Sequence, residues 1–169
     1  TSRLVKKNAF ADVINALPLL SERVKFLIIG TGELEDDLKK LAHDLGVEKR
    51  VIFQGFVDHK DIVQYLKISD VFIRPSLSEG MGNSFVEAMA AGLPVIATPV
   101  GGIVDFLTDM ETGLFCKVND RESIAVAVNR LIDDQTLVKR IVANASEMVK
   151  KRYNWDDIAV SMRSIFPLK

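Results

Sequence analysis

Short runs of β-branched and aromatic residues, each stopped by a glycine or a proline, alternate along this chain with longer amphipathic stretches. That alternation is the mark of a parallel sheet with helices on both faces. Val24-Lys25-Phe26-Leu27-Ile28-Ile29 is almost continuously apolar and ends at Gly30, as a strand covered on both sides does. Residues 33–45 then carry Leu34, Leu38, Leu41 and Leu45 at helical spacing, with Asp36, Asp37, Lys39 and Lys40 opposite, until Gly46 closes the helix. Counting Arg3-Leu4-Val5 as the end of a first strand, residues 51–57 form a third, and Asp58 caps a helix bearing Ile62, Tyr65, Leu66 and Ile68. Residues 70–75 give a fourth strand, 94–97 a fifth and 113–118 a sixth, with a helix over 84–91 ended by Gly92. Beyond Asp120 the periodicity is helical over 121–132, 135–151 and 155–166, the last capped by Asn154 with Asp156 and Asp157 in its first turn. The expected fold is α/β: a doubly wound parallel sheet of about six strands, helices on both faces and a helical C-terminal end.

Length and charge narrow the class. At 169 residues the chain suits one domain. Its 22 Lys and Arg against 23 Asp and Glu leave a net charge of -1, so no broad pull toward nucleic acid exists and any bound anion must be held locally. One Cys makes no intramolecular disulfide, and 2 His without Cys partners make a structural zinc site implausible. No apolar run approaches the roughly 20 residues that span a bilayer. A reducing cytoplasm is expected. The chain starts at Thr1 as if cut inside an element, which reads as an excised fragment.

In open α/β sheets ligands bind beyond the carboxyl ends of the strands, which directs attention to the loops starting at Lys6, Gly30, Phe56, Pro75 and Thr98. Gly30-Thr31-Gly32 follows a strand, but a dinucleotide fingerprint would need a third glycine where Glu35 stands; a tight turn accounts for Gly30. More telling is Ser76-Leu77-Ser78-Glu79-Gly80-Met81-Gly82-Asn83-Ser84-Phe85-Val86-Glu87. Two glycines lead into a helix start, so the N–H groups of Gly82, Asn83 and Ser84 form an anion cradle. Glu79 and Glu87 flank it. Carboxylates accept from hydroxyls and repel phosphate oxygens, so the pattern suits a ligand carrying both. On spacing alone, Glu79 is equally readable as a solvated loop residue and Glu87 as an ordinary helix residue.

With seven residues between Glu79 and Glu87, the stretch Ser-Glu-Gly-Met-Gly-Asn-Ser-Phe-Val-Glu-Ala-Met-Ala-Ala-Gly-Leu-Pro-Val-Ile-Ala-Thr resembles the donor-binding signature of retaining GT-B glycosyltransferases of group 1. The resemblance extends to Ser2-Arg3-Leu4-Val5 with Lys7, Gly30-Thr31-Gly32-Glu33-Leu34, residues 50–57 and Gly101-Gly102. It implies a Rossmann-like C-terminal half that binds a nucleoside diphosphate sugar, with the acceptor held by a separate N-terminal half and Thr1 just past the linker. It also implies that Glu87 binds the ribose hydroxyls, that Glu79 lies by the transferred sugar, and that the amides after Gly82 hold the diphosphate. Arg3 and a following lysine would clamp that diphosphate and stabilise its charge as the glycosidic bond breaks. Family spacing puts the lysine at Asn8, so Lys6 or Lys7 serves only with a shift of the loop, and Lys7 is the choice. Val57 matches the position that holds the nucleobase through backbone atoms, and Gly30 and Gly32 belong to the same binding set. Met81 replaces a usual phenylalanine, and Asp105 a usual glutamate, so Asp105 receives no role.

No Asp-x-Asp occurs, so no metal and no cofactor are expected. Asp36-Asp37 and Asp133-Asp134 read as solvated helix faces or ends. His59 lies near the proposed base but has no carboxylate, Ser or Cys beside it in sequence; His43 reads as surface and Cys116 as core. The expected activity is metal-independent transfer in a cytoplasmic enzyme, peripheral at the inner face of a membrane in full-length form. The fragment alone is expected to be inactive, and Ile158, Met162, Ile165 and Phe166 would form an apolar stripe through which it self-associates. The alternatives are a non-catalytic nucleotide-sugar-binding module and half of a nucleotide-sugar epimerase.

Overall fold

The computed structural model describes residues 2–154, 158–160 and 162–163. Its strands are β1 (Phe26–Ile29), β2 (Val51–Gly55), β3 (Phe72–Arg74), β4 (Val95–Ala97) and β5 (Leu114–Phe115). All paired strands are parallel, in two hydrogen-bonded groups: β1 beside β2, and β3-β4-β5. The helices are α1 (Phe10–Ala16), α2 (Glu35–Asp44), α3 (His59–Lys67), α4 (Asn83–Ala90), α5 (Arg121–Asp133) and α6 (Gln135–Arg152). The α/β class stands, with five strands among the described residues instead of six. The difference is the segment at Arg3-Leu4-Val5. It runs extended beside the end of β1, Ser2 N–H donating to Ile29 O at 3.2 Å and Leu4 N–H to Thr31 O at 3.0 Å. A 3-10 turn at Lys6–Asn8 ends that run before a ladder develops.

Strands prove shorter than the apolar runs because the terminating residues act early. Pro75 has no N–H to give a ladder and stops β3 at Arg74. Gly55 at φ 75° turns the chain out of β2. Helix ends fall close to expectation, with Asp58, Asp120 and Asp134 accepting from the backbone N–H groups of Lys60, Ser123 and Leu137. Helix α1 was not expected, although Phe10, Val13, Ile14 and Leu17 carry helical spacing and are buried. It packs against α5 and α2.

The core divides into two apolar clusters. One gathers Leu4, Ile14, Ile28, Ile96, Ile124 and Ile141; the other centres on Phe85, Met89, Val95, Ile103 and Leu107 below the loops that carry the site. Each such side chain contributes about 1.5 to 3 kcal/mol when fully buried. A cleft of about 850 Å³ lies between β1 and β3, with Phe10, Val13, Phe26, Leu27, Phe72 and Val128 in its walls. Asp36, Asp37, Lys39, Lys40 and His43 are exposed as expected. Among the described residues no helix is long and apolar enough to cross a membrane.

Cys116 is core. Its Sγ faces Ala97 O at 3.5 Å, and burial pushes the thiol up to about 12. The thiolate is the reactive form, so alkylation by iodoacetamide at pH 8 should be at least a hundredfold slower in the native chain than in denaturant. Mass spectrometry of quenched aliquots measures this; equal rates would mean that the thiol is open to solvent. Of the C-terminal stripe, Ile158 and Met162 are helical and Met162 is exposed, while Ile165 and Phe166 lie outside the described residues. Asp156 and Asp157 do as well.

Candidate functional site

The loop after β3 carries Glu79 back toward the strand that precedes it. Arg74, the last residue of β3, is 6% exposed and its Nη2 donates to Glu79 Oε2 at 2.5 Å. Its Nη1 donates to Ser84 Oγ at 2.9 Å, and the guanidinium sits 4.4 Å from the Phe85 ring centroid. One planar group therefore joins the strand, the loop acid and the first turn of α4. Burial lowers the Arg74 pKa while Glu79, and then Glu87, oppose that shift; the group remains charged. The Gly80 N–H donates to the other oxygen, Glu79 Oε1, at 3.2 Å.

A pocket of about 360 Å³ opens over this acid, lined by Ser2, Arg3, Val5, Lys7, Asn8, Arg74 and Glu79. Arg3 and Lys7, chosen from sequence, thus share one cavity with Glu79. Lys6 is not in its wall, and Asn8 is buried and otherwise engaged. Asn8 Nδ2 donates to Arg3 O at 2.7 Å and to Ser2 Oγ at 3.1 Å, clamping the loop that displays Arg3.

Gly82 adopts φ 69° as the residue ahead of α4, a left-handed conformation in which a side chain is strained, and so turns the chain into the helix. The N–H groups of the first turn are left outside the helix ladder. Ser84 of that turn is tied to the pocket through Arg74; Gly82 and Asn83 stand beside it without lining the cavity. One turn later, Glu87 Oε1 lies 3.2 Å from His59 Nε2. His59 does have a carboxylate neighbour, from α4, 28 residues away in sequence and invisible to local spacing. Val57 leads into that corner and packs partly buried against the second core cluster.

Gly30 and Gly32 face the opening segment directly. A Cβ on Gly30 would lie 2.1 Å from Ser2 O, and one on Gly32 2.5 Å from Leu4 O, so their absence of side chains lets the Arg3 segment approach. The pair Gly101-Gly102 does the same for the acid loop: a Cβ on Gly101 would meet Glu79 O at 1.8 Å, and Gly102 N–H donates to Gly80 O at 3.1 Å. Among the described residues no three His, Cys, Asp or Glu side chains gather as a metal site.

A family model for group 1 glycosyl transferases matches residues 1–148. The chain belongs to the group 1 glycosyltransferases. It is 33% identical over 95% of its length to a GDP-mannose-dependent alpha-(1-6)-phosphatidylinositol monomannoside mannosyltransferase of Mycobacterium tuberculosis, of which it covers 44%. Among solved structures, HepE of Anabaena in complex with UDP-glucose superposes with a TM-score of 0.88 at 28% identity, over 96% of this chain and 47% of that one. The C-terminal domain of a Francisella tularensis group 1 protein, LpcC, superposes at 0.82 with 26% identity, over 90% of this chain and 83% of that domain. The chain therefore spans under half the length of the mycobacterial relative and of HepE, and most of the LpcC C-terminal domain.

Proposed function

We propose that this chain is the donor-binding half of a retaining glycosyltransferase, which moves a sugar from a nucleoside diphosphate to an acceptor held by an N-terminal half. The observation carrying this reading is the cavity in which Arg3, Lys7 and Glu79 meet beside the start of α4. Two cations and a helix N-terminus suit a diphosphate, and they act on the charge that develops as the glycosidic bond breaks. Glu79 accepts from hydroxyls of the transferred sugar. Glu87, steadied by His59, accepts from the ribose, and Val57 borders the base. The UDP-glucose complex of HepE and the GDP-mannose dependence of the mycobacterial relative support a nucleotide sugar as ligand. In this reading the chemistry needs no metal, and the isolated half binds donor without transferring sugar.

Calorimetry with UDP, GDP, UDP-glucose and GDP-mannose tests it. At least one of these binds, with the same affinity in EDTA as in magnesium. Charge-assisted hydrogen bonds contribute roughly 1.5 to 3 kcal/mol each, so Arg3→Ala weakens that binding about tenfold or more. Binding that appears only with magnesium or manganese would defeat the metal-free reading, and no binding of any of the four would defeat the donor role.

A further inference from the structure

A carboxylate in the wall of a diphosphate pocket is an electrostatic liability. Glu79 faces the same 360 Å³ cavity as Arg3 and Lys7, and an ionised acid there repels the phosphates that those cations attract. Arg74, also in that wall, is nearly inaccessible and is held in place by contacts that include Glu79, Ser84 Oγ and the face of Phe85. We propose that Arg74 is a positioning residue that cancels the charge of Glu79, so that one pocket accepts a diphosphate and still presents a carboxylate to the hydroxyls of the attached group. This rests on the reading of the cavity as a diphosphate site.

The geometry favours this role over direct phosphate binding. One arm of the Arg74 fork ends on Glu79 and another on Ser84, so these donors are engaged inside the fold, whereas Arg3 and Lys7 are exposed residues that line the same cavity. A lysine would not serve equally, because a single ammonium cannot span the loop acid and the helix start in one plane. The pair fixes where the acid sits as well as its charge: Glu79 is tied to the end of β3 and, through the same guanidinium, to α4.

The test uses the 169-residue chain, with UDP and GDP as probes in calorimetry and thermal melting as the check on folding. Arg74→Met should weaken the bare diphosphate about tenfold or more, because Glu79 is left uncompensated. Glu79→Gln alone should hold or raise affinity. The double variant Arg74→Met/Glu79→Gln, which has no charge at either position, should recover to within about threefold of the original chain. A double variant as weak as Arg74→Met would overturn the proposal, since loss of a phosphate contact or of support for the fold is not repaired by neutralising an acid. Unchanged affinity in Arg74→Met would overturn it too. Should Arg74→Met fail to fold, the double variant against the unsubstituted chain decides: affinity within about threefold supports charge cancellation, and a deficit of about tenfold excludes it. If the unsubstituted chain binds neither UDP nor GDP, the fault lies with the diphosphate site itself.

Discussion

Replacing Glu87 by alanine is expected to weaken UDP and UDP-glucose alike by about a hundredfold, the loss of one to two hydrogen bonds from ribose hydroxyls to a charged acceptor. The same change should abolish any preference for UDP over its 2′-deoxy analogue. Glu79→Ala behaves differently. With the acid gone, the Arg74 guanidinium keeps its place against Phe85 and Ser84 with its charge no longer cancelled, so bare UDP binds as before or more tightly. The loss then falls on the gain in affinity that glucose adds, and on transfer in the full-length enzyme, as expected of an interaction made to the sugar. His59→Ala, which removes the 3.2 Å contact to Glu87, reproduces only part of the Glu87 effect. Calorimetry on the three variants with UDP, 2′-deoxy-UDP and UDP-glucose separates the roles. Equal effects of Glu79→Ala and Glu87→Ala on bare UDP would mean that the division is wrong, and no effect of either variant on any of the three ligands would leave neither acid a part in binding.

The parts of this arrangement legible in sequence were those written in local patterns. Capping by Asp58 followed from one residue and its spacing, and the start of α4 from Gly80, Gly82 and the apolar run behind them. The meeting of Arg3 and Lys7 with Glu79 came through resemblance, since residues 3 and 79 are joined only by the way the chain folds. Less was visible where a local pattern had two readings. Arg3-Leu4-Val5 has the composition of a strand, but two hydrogen bonds to the end of β1 do not make a ladder. Helix α1 was hidden because the short stretch before Pro18 has few polar residues to mark its outer face. The contact of His59 with Glu87 had no sequence signal at all. Arg74 had one that went unread: a charged residue ending an apolar strand is seldom buried without a partner, and an acid stands five residues on.

Phe85→Ala is the substitution expected to cost the most stability, about 3 to 5 kcal/mol, because the side chain is wholly buried and its removal leaves a cavity between a strand and a helix. Its ring meets Phe72 of β3 edge-on at 5.3 Å and Phe106 at 6.2 Å, and carries the Arg74 guanidinium on its face. The same residue therefore belongs to the second core cluster and to the support under the site. Losing a third or more of a typical domain's stability should lower the melting temperature steeply, which differential scanning calorimetry records. A second consequence follows from the position of the ring. Without it Arg74 keeps its hydrogen bonds to Glu79 and Ser84 but loses the surface that fixes its plane, so diphosphate binding weakens even at temperatures where the variant is fully folded. Phe85→Leu, which keeps much of the apolar volume but no aromatic face, tells the two apart. It should recover most of the melting temperature and leave the binding defect in place. Recovery of both would show that the ring serves the fold alone.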